Sequence, residues 1–248
     1  MLQSFGHVAL LLALLAAPAE VWAQAGNTVQ SPVLKVGDSW VFNDVTEKGP
    51  TGYNERRTNI VVQRLGDDTM NIGIKRDGAP GAFEDQLIGL DWSHRRFVDG
   101  KQTVTTRPFE FPLSVGHQWT VDFVDSTRRG NQISVHVRQT YKVVGWEDIT
   151  VAGGHFHTVK VVSDGVNDGT VEVAATAGTS VAASSSGTAA ISHGQRGGIG
   201  KLVRVTHGEF YYAPEIKSAV KSLEEQYSPD NVLLIREKRE LVSFTPGN

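Results

Sequence analysis

Apolar and polar residues alternate with period two along most of the chain, the pattern of strands that bury one face. In "SPVLKVGDSWVFNDV", Trp40 and Phe42 share a face, and Gly37-Asp38 supplies turn chemistry just before them. "NERRTNIVVQRLGDDTMNIGIKRDG" predicts two more strands, with turns at Gly66-Asp67 and Asp77-Gly78. Further short strands follow in "AFEDQLIGLDWSHRRFVDGKQTVTTRPFEFPL", where Asp99-Gly100 reads as a hairpin turn. "HQWTVDFVDS" and "NQISVHVRQTYKVVGWEDITV" place Trp119, Val121 and Phe123, then Ile133, Val135 and Val137, on single faces. "HFHTVKVVS" adds a strand after Gly153-Gly154. Strands recurring roughly every 8–12 residues with turns between them predict an all-β fold, a single curved antiparallel sheet or barrel-like domain.

Three stretches depart from that simple pattern. "EFYYAPEIKSAVKSLEEQYSPD", residues 209–230, places Ile216, Ala219, Val220, Leu223 and Tyr227 at helical spacing. It also follows an aromatic run and precedes the strand-like "NVLLIREKRELVSF", so its local pattern fits a helix or a hairpin. Residues 173–200 are dominated by Ala, Ser, Thr and Gly, with no Asp, Glu, Lys or Arg from Val173 to Gln195. Such a stretch buries too little apolar surface to offset its ordering entropy, which predicts a surface loop; a lid over a pocket is the functional version. Its glycines fail the spacing of a phosphate loop. Finally, "LKVGDSWVFNDV" from Leu34 and "LSVGHQWTVDFV" from Leu113, 79 residues apart, share Leu, Val, Gly and Trp at equal offsets. Either turn-then-aromatic-strand starts recur by chance, or the chain has two similar halves of one curved sheet.

The N-terminus changes the picture of the compartment. Val8 to Ala17 is apolar, too short to cross a bilayer and of ordinary length for a signal-peptide core. Val21-Trp22-Ala23 has small residues at its first and third positions, so residues 1–23 are expected to be a signal peptide, although the leader has no Lys or Arg. Removing 23 of the 248 residues leaves 225, enough for a full hydrophobic core in one β-rich domain, 24–248. The removed acid, Glu20, moves the net charge from −3 to −2, which gives no electrostatic reason to expect nucleic acid as a partner. Cysteine is absent, so disulfides, thiolate metal sites and acylation of a processed N-terminal cysteine are all excluded. The expected location is periplasmic or secreted, with no transmembrane segment in the mature chain.

The C-terminal third resembles bacterial envelope proteins of the DUF3108 or TapB2-like type. The residues that carry the likeness are Val151, Ala152, Gly153, Phe156, Lys160 and Val161; Tyr212, Ala213, Pro214, Glu215, Val220 and Lys221; and Glu240 to Phe244. The start from Leu34 to Trp40 fits the same pattern. Two features differ: the 173–200 stretch looks like an insertion, and His155 and His157 stand where small or neutral residues are expected. The resemblance implies a β-rich, barrel-like or curved antiparallel sheet and brings no catalytic residues. It also implies that Tyr212 to Glu215 form a turn and that "IKSAVKSLEEQY" is a strand. Pro214 fits such a turn, and Ser228 to Asn231 then form a second one.

Candidate chemistry is sparse. His155 and His157, at i and i+2 on a strand, point to one face, a spacing used in metal sites; Asp164 and Glu147 are the candidate third ligands. The commoner reading is a pair of surface histidines. His94-Arg95-Arg96 and Arg128-Arg129 are solvated strand ends near Asp91, Asp99 and Asp125, or forks for a carboxylate or phosphate. Asp67-Asp68 and Glu224-Glu225 are adjacent in sequence and so diverge. Trp40, Phe42, Trp92, Trp119, Phe123, Trp146, Phe210 and Tyr212 are expected in the core, some of them lining a concave pocket. No catalytic, metal or cofactor residue is assigned. The expectation is a non-catalytic envelope protein binding a lipid or other hydrophobic or amphiphilic small molecule. The alternatives are a scaffold contacting another envelope protein, then a metal-dependent enzyme using His155 and His157.

Overall fold

The computed structural model describes residues 28–50, 52–127, 131–183 and 189–248, with the side chains of 173–197 left aside. The described residues form twelve strands and no helix: β1 (Ser39–Lys48), β2 (Gly52–Leu65), β3 (Thr69–Arg76), β4 (Glu84–Gly89), β5 (His94–Val98), β6 (Lys101–Thr106), β7 (Gln118–Asp125), β8 (Gln132–Val151), β9 (Gly154–Ala183), β10 (Ala189–Ala213), β11 (Ser218–Tyr227) and β12 (Leu233–Thr245). All belong to one antiparallel sheet in the order β6-β5-β4-β3-β2-β1-β12-β11-β10-β9-β8-β7. Two six-stranded meanders thus join where the first strand pairs with the last. The right-handed twist of neighbouring strands curls a sheet of this width. Its edges, β6 and β7, come side by side without pairing, so the sheet is nearly closed into a barrel. Arg96 on β5 bridges the seam to Asp125 on β7 at 3.3 Å, its guanidinium 5.9 Å from the Phe123 ring.

The two similar sequence stretches open the two meanders, and their geometry matches. Gly37 and Gly116 have φ of 89° and 90°, a left-handed conformation that suits glycine. Each donates its N–H to the second strand of its meander, at Val62 O (2.8 Å) and Val143 O (2.9 Å). Leu34 and Leu113 are buried, and Val36 and Val115 are exposed. Trp40 and Trp119 are buried, each donating its indole N–H to a carbonyl at 2.8 Å, of Ile216 and Arg107 respectively. These are two similar halves of one curved sheet.

The inner face divides lengthwise. At the end where β1 and β7 begin, Trp40, Phe42, Val62, Met70 and Leu241 form one apolar cluster, and Trp119, Tyr141, Val161, Phe210 and Tyr212 form another. The linker between the halves inserts Phe109, 1% exposed, against Tyr212 (ring centroids 4.9 Å apart) and Phe210 (6.3 Å), closing this end. The opposite end carries polar side chains instead.

The hairpin holds over the locally helical pattern, with its turn at 214–217, two residues later than the expected Tyr212 to Glu215, and its second strand at Ser218–Tyr227. Tertiary pairing decides it: β11 is hydrogen-bonded on both sides, and Ile216 and Val220 fill the core. The 173–200 stretch, read from sequence as a loop, continues the β9–β10 hairpin in its backbone. Val173 lies opposite Gly198, and Ala183 opposite Ala189. A backbone ladder satisfies its own N–H and C=O groups without apolar side chains, a route that the composition argument left out. Residues 1–27, and with them the expected signal peptide and cleavage after Ala23, lie outside the described residues, as do 184–188.

Candidate functional site

Strand alternation turns one set of side chains on β1, β2, β8, β10, β11 and β12 into the barrel, and beyond the aromatic band this set is polar. Three adjoining hollows result, and His94 and Glu224 line all of them. The largest, about 510 Å³, has Gln86, Gln139, Asn167, Thr206 and Gln226 on its walls, with Phe123 at the seam. A second, about 260 Å³, is lined by Asp44, Arg56, Ser222, Glu237 and Arg239. The third, about 120 Å³, reaches the apolar floor between Phe42, Ile60, Trp92, Phe109 and Phe210. Together they make one lumen with polar walls and an aromatic floor.

Its charges are mostly neutralised in place. Arg239 donates to Asp44 through Nε (2.7 Å) and Nη2 (3.2 Å) and lies over the Phe42 ring. Arg236 binds Glu225 at 2.6 Å, and Arg95 binds Asp68 at 2.6 Å. Burial pushes the Asp44 carboxyl up, but the Arg239 hydrogen bonds and charge more than reverse this and hold it below the usual carboxylate range.

Among the described residues Glu224, Glu237 and Arg56 are the exceptions, and Glu224 is the one of them that lines all three hollows. It lies directly opposite Glu237 in the β11–β12 ladder, so two carboxylates stand side by side on one wall. Like charges at directly opposed positions are unfavourable. Solvent in the lumen reaches Glu224, while protein surrounds it on nearly every other side. That enclosure pushes its carboxyl above the ordinary value, Glu237 pushes it further, and Arg239 opposes both. The same enclosure, with Arg239 adding to it, lowers His94, whose Nδ1 lies 3.1 Å from Gln86 Nε2. Neither the Glu224 nor the Glu237 side chain has a hydrogen bond or an ion pair among the described residues.

Of the residues singled out from sequence, His94-Arg95-Arg96, Glu224-Glu225 and four of the aromatics line the lumen, and the remainder fall elsewhere. His155 and His157 both sit exposed on β9, outside the lumen. His155 Nδ1 is 3.0 Å from Thr150 Oγ1, and His157 hydrogen-bonds Asp148 and stacks on Trp146. Asp164 is engaged with His207 at 2.8 Å and Glu147 faces Lys160, so neither joins the histidine pair. Among the described residues no three His, Asp or Glu side chains are grouped to hold a metal ion. All three members of His94-Arg95-Arg96 line the largest hollow, where Arg95 is tied to Asp68 and Arg96 to Asp125. Arg128-Arg129 lies outside the described residues. Asp68 holds Arg95 at the barrel wall. Glu224 and Glu225 diverge as expected, Glu225 turning to Arg236 and Tyr227. Of the aromatics, Phe42, Trp92, Phe123 and Phe210 reach the lumen, and Trp40, Trp119 and Tyr212 are packed away. The Glu224–Glu237 pair escaped the sequence because its members are 13 residues apart and meet only through strand register.

No protein-family model matches the chain. No curated protein matches it. Among solved structures, a "putative lipoprotein" from Parabacteroides distasonis is 12% identical with a TM-score of 0.45, covering 89% of this chain and 100% of its own. A "putative exported protein with YmcC-like fold" from Bacteroides fragilis is also 12% identical, with a TM-score of 0.39 over 88% of this chain and 99% of its own. The "hypothetical lipoprotein YmcC" from Escherichia coli is 10% identical, with a TM-score of 0.34 over 84% and 85%. The DUF3108 or TapB2-like resemblance therefore rests on the residues quoted for it, and the site's chemistry rests on its own side chains.

Proposed function

We propose that this chain is an exported bacterial envelope protein of the DUF3108 or TapB2-like type that binds an amphiphilic small molecule in its barrel lumen without turning it over. The observation that carries this is the continuity of a polar-walled cavity with a niche floored by Phe42, Trp92, Phe109 and Phe210. An amphiphile has a polar part for the walls and an apolar part for the floor. A wholly hydrophobic ligand would strip water from Glu224, Arg56 and the glutamines without replacing their hydrogen bonds. The leader at residues 1–23 supports export. The placement of Glu224 and Glu237 side by side on one wall does not suit glycoside cleavage. Acid–base carboxylate pairs of the glycosidase type flank the bond they break.

Native mass spectrometry of the chain purified without detergent from its own envelope tests the reading. One adduct of small-molecule mass at near one-to-one, released on denaturation, is the expected result. A bare polypeptide mass would sink it, and would turn attention to a protein partner instead.

A further inference from the structure

We infer that the lumen selects a cation: a ligand whose ammonium group docks between Glu224 and Glu237 while a short apolar group lies on the Phe42–Phe109–Phe210 floor. The inference rests on the lumen-binding reading above and names its ligand class.

Four observations converge on it. Glu224 and Glu237 are opposed across the β11–β12 ladder with no partner among the described residues. Most basic groups nearby are engaged: Arg239 with Asp44, Arg95 with Asp68 and Arg96 with Asp125, while Arg236 and Lys238 alternate away from Glu237 and bind Glu225 and Glu47. Arg56 lines the hollow with Glu224 and Glu237 and lowers the Asp44 carboxyl by its charge. Thr206, on the wall of the same cavity, is 8% exposed, and its Oγ1 has no hydrogen-bond partner. A buried hydroxyl without a partner is costly unless something comes to meet it. The aromatic niche, in turn, limits size. At about 120 Å³ it is somewhat smaller than the roughly 150 Å³ that holds a benzene ring. It suits a group of about four carbons rather than a whole acyl chain.

An ammonium group between two carboxylates relieves their mutual repulsion and replaces its own lost hydration with charge-assisted hydrogen bonds. It also favours the ionised form of Glu224, so cation binding and proton binding compete. Affinity must then rise with pH through the Glu224 titration, above the ordinary carboxylate range. The other charged or titratable groups lining these hollows with Glu224 are Glu237, Lys238 and Arg239 on β12, Asp44 on β1, Arg56 on β2, His94, Arg95 and Arg96 on β5, His207 on β10 and Glu225 on β11.

The test uses three probes of one shape, n-butylamine, 1-butanol and butyrate, titrated into the folded chain and followed through the backbone amide shifts of β11 and β12. Butylammonium is expected to bind at least tenfold more tightly than 1-butanol, and butyrate not at all. Glu237→Gln is expected to weaken butylammonium at least tenfold and to leave 1-butanol unchanged. Butanol binding as tightly as the amine, or an amine affinity indifferent to Glu237→Gln and to pH, overturns the cation while keeping the lumen. No shift with any probe overturns both.

Discussion

At the scale of single residues, Asp38 shows how one side chain can hold three distant segments. It is fully covered from solvent. It accepts hydrogen bonds from Lys217 Nζ (2.9 and 3.1 Å), Gly247 N (2.8 Å) and Lys35 N (2.7 Å). The turn before β1, the β10–β11 turn and the C-terminal tail thus meet on one carboxylate. Burial pushes that carboxyl up, but the donated hydrogen bonds and the Lys217 charge hold it below the usual range. A carboxylate lowered by folding contributes stability above its unfolded pKa and loses that contribution as pH falls through the folded value. Asp38→Asn keeps the shape and removes the charge. We expect it to cost about 2 kcal/mol at pH 7, the scale of a lost charge-assisted set, with the deficit shrinking as the medium is made acidic. Urea melts of both chains across a pH series decide it: a deficit that does not change with pH would mean that packing, not charge, is what Asp38 contributes.

Among the elements, the sequence was informative wherever local pattern and tertiary pairing agreed. The alternation around Trp40, Val62 and Val121 marked strands, and Asp99-Gly100 marked a hairpin that the structure forms with φ of 48° and 78°. Residues 216–227 were ambiguous because a strand at a meander centre and an amphipathic helix can share apolar spacing; the pairing partners that settle it lie up to 22 residues away. The lumen was least legible. Glu224, Glu237, His94 and Arg56 come from four strands, and only register makes them neighbours. One junction also differs from the rest. β4 meets β5 through a single residue pair, Ile88 with His94. The β5–β6 hairpin depends further on the ion pairs Arg95–Asp68 and Arg96–Asp125. With few backbone bonds on one side and a seam on the other, it should open sub-globally before the remainder. Hydrogen exchange is expected to be at least tenfold faster in β5 and β6 than in β11, and faster still in Arg96→Ala. Equal protection would show that side-chain contacts alone lock the seam.

For the molecule as a whole, the apolar end and the polar end of one barrel make opposite demands. The Trp40 and Trp119 clusters stabilise the fold by burying aromatic surface, and Phe109 seals them. The lumen works against stability, since Glu224 is held in an enclosure that disfavours its charge, next to a second carboxylate. A carboxyl raised by folding makes its ionised form a liability above the folded pKa, and that liability fades as pH falls and the group takes up a proton. Glu224→Gln removes the charge while keeping the hydrogen-bonding shape. It should therefore stabilise the chain at neutral pH, in contrast to Asp38→Asn. Solvent in the open lumen screens the repulsion, so the gain should be roughly 1 kcal/mol, a rise in Tm of about 2–4 °C for a chain of this size. It should shrink toward nothing in acid. The same substitution should weaken capture of butylammonium. A residue that costs stability and is needed for binding is expected at a site kept for function. Thermal melts at pH 5 and pH 8, run beside the amine titration, separate the outcomes. If Glu224→Gln lowers Tm at pH 8, the carboxylate is a structural support, and the lumen's unpaired charge is no evidence for a ligand.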